Sequence, residues 1–386
     1  MSRINRITRM FFIAAASVYS VAAQAQQDTA KKFTPSGKVW GYAFGDYYYK
    51  MHNDSANRGN TQYSNMPETA NSFEMRRAYF GFDYNIAENV SSELLLSYEG
   101  NTLSDNATRT VFLKAANVRW KNVCKGTDLV FGLQATPAFP MLVEKMWGYR
   151  SIEKTILDMR KGASSADLGI GLQGKFGKDG MMGYDLLVAN GSGTKIESDI
   201  FKKFYGDYWV KLMDKKLIVD LYSDFERTQM IPDFHKYKNT YKLSLIYNTD
   251  PFSVGLEGYM TNQFNYVGYA DTSVTPFHTD TTNSAVMGVS VWVHGQIIKD
   301  KLNFFARYDM YNPDMHYNNT YVYTMGSAPV TESFITAGVD YTPTKNLHIM
   351  PNLWYNGYAS RAKGATGKVK SDYDMVPRLT VWYVFK

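Results

Sequence analysis

The chain has 386 residues, of which 45% are hydrophobic, 20% are charged and 15% are aromatic, and its formal net charge is +6. A disordered chain is excluded because disordered segments lack aromatic residues. After residue 25, no stretch approaches the roughly 18 uncharged apolar residues that a membrane helix needs. With 30 Tyr and 29 Gly, the composition predicts a folded protein built from many β-strands.

Residues 1–25 have the pattern of a secretory signal peptide. Three arginines precede an apolar core that starts at Met10, and the segment ends in the sequence Ala-Gln-Ala. We expect cleavage between Ala25 and Gln26. Without the three arginines the formal charge falls to +3, so the sequence gives no support for nucleic-acid binding. We expect residues 26–36 to follow as a short periplasmic N-terminal segment.

Alternation of apolar and polar residues dominates the rest of the chain. Between residues 302 and 310, the apolar Leu302 and Phe304 alternate with the polar Asn303 and Arg307. A period of two with one apolar face predicts a strand between two media. About sixteen such runs follow one another, near residues 37–50, 71–87, 90–101, 109–121, 126–136, 166–178, 180–190, 204–214, 215–225, 237–249, 251–266, 281–298, 301–312, 332–343, 345–357 and 373–386.

Short and long connections alternate between these runs. The long ones are residues 51–70, 101–108, 137–165, 191–203, 226–236, 267–280, 312–331 and 359–371. Outer-membrane barrels have an even number of strands, short periplasmic turns and long extracellular loops. The pattern therefore predicts an all-β, transmembrane antiparallel β-barrel of about 16 strands over residues 37–386. A soluble β-sandwich is the alternative, but it has no reason to alternate its connections in this way.

The third long connection, residues 137–165, does not alternate. Ile152, Ile156 and Met159 share one helical face, and so much apolar surface must pack on something. The nearest shelter is the lumen, which in a sixteen-strand barrel is wide enough to hold an inserted loop. We expect a constriction loop, with a lid or interface helix outside the barrel as the alternative. Its charged residues at the expected constriction are Glu144, Lys145, Arg150, Glu153 and Lys154.

Several segments resemble one protein family. Residues 73–81, Phe-Glu-Met-Arg-Arg-Ala-Tyr-Phe-Gly, resemble the F-x-x-R-R-A-x-x-G motif of phosphate-selective porins of the O and P type. Other similar segments follow in the family's order: residues 131–137, 149–154, 167–170, 184–191 and 305–309. The resemblance implies a trimeric sixteen-strand channel in the outer membrane, with the third loop folded inward. It also implies anion selectivity through a ladder of lumen arginines and a lysine.

Alternation assigns charged side chains to the lumen. The expected pore-lining cations are Arg77, Arg119, Lys211, Lys242, Arg307 and Arg378, and the expected pore-lining acids are Asp83, Asp220, Asp224, Glu257, Asp309 and Asp340. A selective ring of charge needs one sign to dominate. Because the two sets are equal in number, they favour a general solute pore over a phosphate filter.

These patterns predict a porin in the outer membrane of a Gram-negative bacterium. Small hydrophilic solutes or ions, with phosphate among the candidates, would diffuse passively through a homotrimer surrounded by lipid and lipopolysaccharide. The last strand, with Tyr383 and Phe385 on one face, resembles the signal read by the barrel-assembly machinery, although Lys386 departs from a terminal Phe. The alternative is a structural or adhesive barrel closed by its loops.

An enzyme is the less favoured reading. Some outer-membrane barrels hydrolyse lipids, and His294 and His348 lie on predicted strands. The sequence has no G-x-S-x-G elbow and no H-E-x-x-H motif, so no catalytic site is predicted. The lone Cys124 supports neither a disulfide framework nor a thiolate metal cluster. We therefore expect no metal and no cofactor.

Overall fold

The computed structural model describes residues 33–59, 61–100, 108–231, 234–271, 278–319, 321–325 and 329–385. The predicted signal peptide with its cleavage site, and all but one residue of the second long connection, lie outside these residues. The strands all belong to one compact unit that begins at Ser36.

Seventeen strands are found in the described residues. They are β1 (Ser36–Tyr49), β2 (Asn71–Ala87), β3 (Val90–Glu99), β4 (Phe112–Cys124), β5 (Thr127–Ala135), β6 (Ala166–Phe176), β7 (Met182–Ala189), β8 (Lys203–Leu212), β9 (Leu217–Ile231), β10 (Phe234–Asn248), β11 (Phe252–Asp271), β12 (His278–Ile298), β13 (Leu302–Asn312), β14 (Tyr321–Met325), β15 (Val330–Thr344), β16 (Leu347–Ser360) and β17 (Ser371–Phe385). Sixteen of them pair antiparallel with their neighbours, and β17 pairs with β1 to close the barrel. The predicted fold is confirmed.

The remaining strand, β14, belongs to the seventh long connection. It pairs with the end of β11, while β13 pairs directly with β15. Two predicted loops are also shorter than expected. β9 continues to Ile231 and β10 already begins at Phe234, while β11 continues to Asp271 and β12 already begins at His278. Beyond the membrane both faces of a strand meet water, so the alternation that marks a strand in the sequence is lost there.

The two faces of each strand lie in different surroundings. On β10, Tyr241, Leu243 and Leu245 are exposed, whereas Lys242 and Ser244 between them are buried inside. Comparable exposed apolar side chains occur on strands all around the barrel. So large an apolar surface is typical of the lipid-facing belt of an outer-membrane barrel.

Three short α-helices accompany the strands in the described residues: α1 (Val143–Trp147), α2 (Ile156–Met159) and α3 (Gly367–Lys370). No helix of the described part of the chain is long and apolar enough to cross a membrane. The helical face predicted for Ile152, Ile156 and Met159 is only partly correct. Ile152 precedes α2, which is a single turn, although Ile152 and Ile156 are both fully buried.

The third loop, residues 137–165, folds into the barrel as predicted. Trp147 in α1 is fully buried, and its ring centroid lies 5.8 Å from that of Trp292 on the inner face of β12. Tyr149 packs 4.5 Å from Phe305 on the inner face of β13. These contacts exclude a lid or interface helix on the outside, because the apolar side chains of the loop meet the inner wall.

Two of the β-bulges in the wall lie on β2 and β4. Where β1 meets β2, Phe44 pairs with Arg77 and Gly45 pairs with Met75, so Arg76 is the extra residue. Where β3 meets β4, Leu95 pairs with Ala115 and Leu96 pairs with Leu113, so Lys114 is the extra residue. A bulge shifts the alternation by one residue, and both extra cations make contacts inside the barrel.

The lipid-facing belt leads to a stability prediction. Replacing Leu243 by arginine should lower the free energy of unfolding by about 2–4 kcal/mol, because a charge there must leave water near the middle of the membrane. The measurement is a urea titration of the barrel folded in lipid vesicles.

The matched control is Phe73→Arg. Phe73 is 82% exposed at the long-loop end of β2, where a charge should cost about 0–1 kcal/mol. Equal losses at the two positions would contradict the membrane assignment.

Candidate functional site

The third loop is held by cations of the barrel wall. Lys242 Nζ donates to Ala138 O at 2.7 Å, and an Nη of Arg378 donates to Ile152 O at 3.1 Å. Arg307 donates to the carbonyl oxygen of Lys154. All three cations were predicted to line the pore and do lie on the inner face. The loop covers them, however, and all three are buried.

The same cations have partners on the wall itself. Lys242 Nζ lies 2.9 Å from Asp220, and Arg307 lies 2.5 Å from Asp309. Arg378 Nε donates to Asn352 at 2.9 Å. The positive charge of this part of the wall is therefore largely neutralised by other groups of the protein.

The other predicted acids occupy varied places. Asp224 lies 3.2 Å from Lys203 Nζ, and Asp340 lies 2.9 Å from His348 Nδ1. Glu257 is buried, and Asp83 is exposed near the short-turn end of β2. The six predicted acids thus do not form one ring.

The other three predicted cations have partners on the wall itself. Arg77 lies 3.2 Å from Glu99 and donates to the hydroxyl of Tyr79 at 2.8 Å. The partly exposed Arg119 lies 3.0 Å from Asp128. Lys211 lies 5.1 Å from the centroid of the Trp209 ring.

The third loop carries its own ion-pair network. Arg150 Nε lies 2.7 Å from Glu144, and an Nη lies 3.0 Å from Asp158. Burial and Arg77 lower the pKa of Arg150, but the two carboxylates outweigh them and hold this pKa above its ordinary value. Lys154 lies 3.9 Å from Asp158. Burial, with help from nearby Lys175, lowers the pKa of Lys145.

Glu153 joins the third loop to the wall. Its carboxylate accepts a hydrogen bond from Trp354 Nε1 at 2.9 Å. Burial disfavours its charged form, but Arg378 and Arg76 outweigh burial and hold the pKa of this carboxyl below its ordinary value. Arg76 also donates to the carbonyl oxygens of Ser151 and Ile152.

The first loop, residues 51–70, reaches the same region. Tyr63 is fully buried, with its ring 5.0 Å from that of Trp354 and its hydroxyl 3.4 Å from Arg378. Lys50, next to the loop, is also fully buried and lies 3.1 Å from Asp374. Both inserted loops therefore meet at the anchor made by Arg378.

The space that the loops leave free is basic. A cavity of about 640 Å³ is lined by six cations and four acids. These are Arg76, Arg77, Arg150, Lys154, Arg160 and Lys161, with Glu74, Glu99, Glu153 and Glu332. A second cavity, of about 410 Å³, shares Glu99, Lys154 and Lys161 with the first. It adds Lys114, Lys195, Lys203 and Lys238, with Asp158 and Glu226.

Arg76 and Lys114 are two of the charged wall residues that the predicted pore-lining set lacks. Each is the extra residue of a β-bulge, so a strict period of two gives it the wrong face. The adjacent Arg76 and Arg77 could have signalled the first bulge, because two consecutive charges cannot both face inward on a regular strand. Lys114, between Leu113 and Ala115, carries no such signal.

The two histidines considered for lipid hydrolysis face inward. His294 Nε2 lies 2.9 Å from Met146 O of the third loop, and the ring of His348 stacks 4.4 Å from that of Trp382. Both lie on the inner face, away from lipid. That the chain is not an enzyme stays a prediction.

Solved structures with the same architecture are known, although no model of a protein family and no curated protein matches this chain. The outer membrane channel DcaP of Acinetobacter baumannii has a TM-score of 0.63 and 13% identity, over 93% of this chain and 100% of that chain. An anion-selective porin from Comamonas acidovorans has a TM-score of 0.58 and 10% identity, over 91% and 100%. OmpT of Vibrio cholerae, in a trimer form, has a TM-score of 0.54 and 10% identity, covering 92% and 100%.

The chain has a porin fold. Together with the lipid-facing belt, this fold places the chain in the outer membrane of a Gram-negative bacterium. At such low identities the likeness establishes the fold alone, and the resemblance to phosphate-selective porins stays a prediction.

The burial of Glu153 leads to a pH prediction. Its folded pKa lies below the unfolded value, so the carboxylate stabilises the fold above about pH 4.3 and loses this effect as the pH falls through the folded pKa. Glu153→Gln should therefore cost about 2 kcal/mol near neutral pH. The difference in Tm between the natural protein and the variant, measured in detergent, should shrink as the solution is acidified.

The control is Glu68→Gln, because Glu68 is largely exposed where it meets His52. An exposed pair of this kind contributes about 0–1 kcal/mol. A Tm difference for Glu153→Gln that stays constant with pH would contradict the assignment of a buried, charged Glu153.

Proposed function

We propose that the protein is a porin that lets small hydrophilic solutes diffuse passively across the outer membrane and that favours anions. The observation that carries this proposal is the excess of positive side chains that line the space around the third loop. The two cavities together are lined by ten cations and six acids. Charge of one sign lining a narrow, low-dielectric passage raises the local concentration of oppositely charged solutes.

This proposal revises the balance expected from the sequence. Lys242 and Arg307 form buried ion pairs with Asp220 and Asp309, so these four charges are withdrawn from solute. Lys114, which alternation missed, adds positive charge at the cavity wall, and Arg76, also missed, lines the first cavity beside its partner Asp46. The preference for anions therefore depends on which charges the third loop leaves uncovered.

Further support comes from similar structures. One neighbour is described as an anion-selective porin, and another is described in a trimer form. We extend both properties to this chain as proposals: anion preference and a homotrimer. Outer-membrane lipid, lipopolysaccharide and the barrel-assembly machinery are the expected partners. Phosphate, as the resemblance implies, is one candidate solute.

A closed structural or adhesive barrel is the second candidate. The observation that favours it is the filling of the lumen by two loops, with Tyr63 and Trp147 fully buried. Conductance in planar bilayers separates the two candidates, because an open pore gives discrete current steps and a sealed barrel gives none.

The experiment that tests anion preference is the reversal potential in a potassium chloride gradient. We expect its sign to report chloride as the more permeant ion. Blockage of the chloride current by added phosphate would identify phosphate as a ligand of the pore, and a reversal potential of the opposite sign would contradict the proposal.

Charge reversal at the cavity should change this preference. In the variant with Lys154→Glu and Lys161→Glu, two cations that line both cavities become acids. The reversal potential should move towards cation permeation because the field in the passage changes by four charges. The control is Lys125→Glu, on the exposed turn between β4 and β5. An equal shift in the control would mean that net charge, not the cavity lining, sets selectivity.

A further inference from the structure

A cluster of acids is buried in the wall on the inner faces of β7 to β11. Asp185, Asp207, Asp220 and Glu257 are all at most 5% exposed, and we call them the acidic cluster. Asp185 and Asp207 are directly opposite each other on β7 and β8. The described residues contain no group of acids or histidines arranged to hold a metal ion.

Two of these carboxyls contact each other. Asp207 on β8 pairs with Tyr222 on β9, so Asp207 and Asp220 are diagonal neighbours on the inner face. Their side chains lie within hydrogen-bonding reach of each other. An ionised carboxylate only accepts hydrogen bonds, so this contact is a hydrogen bond only when one of the two carboxyls carries a proton.

The carboxyl oxygens of the acidic cluster also have few hydrogen-bond donors. Oδ1 of Asp207, Oδ1 of Asp220 and Oε1 of Glu257 are buried, and none of the three accepts a hydrogen bond from the described residues. Only the ion-pair contact of Lys242 Nζ, 2.9 Å from Asp220, offsets this. Buried charge without compensation is strongly disfavoured, so the cluster would not be fully ionised.

The surrounding groups do not supply the missing positive charge. The charged and titratable side chains that face the pair or its neighbours are Arg119 of β4, Asp185 of β7, Tyr222 of β9, Lys242 of β10, Glu257 and Tyr259 of β11, and Arg307 and Asp309 of β13. Arg307 is paired with Asp309 and Arg119 with Asp128, while the hydroxyl of Tyr222 donates to Asp224. Lys242 is left as the one ammonium for four carboxyls in this part of the described structure.

Lys242 connects the cluster to the third loop. The same Nζ that faces Asp220 donates to Ala138 O at the start of the loop. Ala138 and the adjacent Phe139 are buried and pack with Tyr205, Tyr222 and Tyr259 of the wall. Added negative charge on Asp207 and Asp220 would therefore compete with the loop carbonyl for Lys242. It would also draw water beneath the apolar contacts of Ala138 and Phe139.

We propose that Asp207 and Asp220 share one proton at neutral pH and that its loss at alkaline pH releases the start of the third loop. The proton goes to solvent, and the pair gains one negative charge. The effect of this release on conduction rests on the proposed channel function, whereas the shared proton does not. The channel would then be regulated by pH through a site behind the loop.

Infrared spectroscopy of the folded protein in detergent tests the shared proton directly. At neutral pH the natural protein should show the C=O stretching band of a protonated carboxylic acid, and alkaline titration should remove it. Asp207→Asn and Asp220→Asn should each remove the band at neutral pH, because either change ends the sharing. The matched control Asp128→Asn, at the partly exposed partner of Arg119, should keep it.

Bilayer recordings test the consequence for the loop. In the natural protein, alkaline pH should increase current noise or change the unitary conductance, and in Asp207→Asn this dependence should disappear. An asparagine can donate to Asp220 without a titrating proton. Asp220→Asn provides a second variant if Asp207→Asn does not fold.

The outcomes are separable. The proposal is overturned if the natural protein lacks the acid band or if the band survives both substitutions. If the band is absent and the stability of the folded protein depends on added sodium or calcium, a bound cation replaces the proton. If the band behaves as expected but no current steps occur, the shared proton stands and the channel function fails.

Discussion

The structure depends on one constraint: the peptide groups of the third loop must find hydrogen-bond partners inside the barrel. A loop that enters a lumen against a packed wall leaves bulk water, and an unpaired buried carbonyl costs about as much as a lost hydrogen bond. Here Lys242, Arg307 and Arg378 supply donors to those carbonyls. The loop thus stays in place because positive wall residues bind its backbone, with the apolar contacts of Trp147 filling the space between.

This anchoring divides the wall into two electrostatic regions. Behind the loop, cations are used by carbonyls and acids, as with Arg307 beside Asp309, and little net positive charge faces solute. On the uncovered side, Arg77 and Lys114 both lie near the single carboxylate of Glu99, so positive charge is in excess. A count of inward charges over the whole strand set averages the two regions and hides the difference.

The sequence predicts some parts of this structure and not others, and the difference has a physical cause. The period of two arises because lipid and water meet opposite faces of each strand, so membrane strands such as β13 could be predicted residue by residue. The strand ends beyond the membrane and the bulges at Arg76 and Lys114 could not, because no change of medium marks them. The apolar content of residues 137–165 predicted insertion, but the choice of anchoring cations depends on contacts distant in sequence.

The acids follow the same logic. Asp309 and Asp220 look alike in the sequence, each an inward carboxyl on an alternating strand. Asp309 meets a guanidinium that can satisfy both its oxygens, whereas Asp220 shares one lysine with Asp207, Glu257 and a loop carbonyl. The difference arises from which strands lie side by side after closure of the barrel. An inward charge in such a protein therefore has no fixed role: its neighbours decide whether it anchors a loop, faces solute or requires a proton.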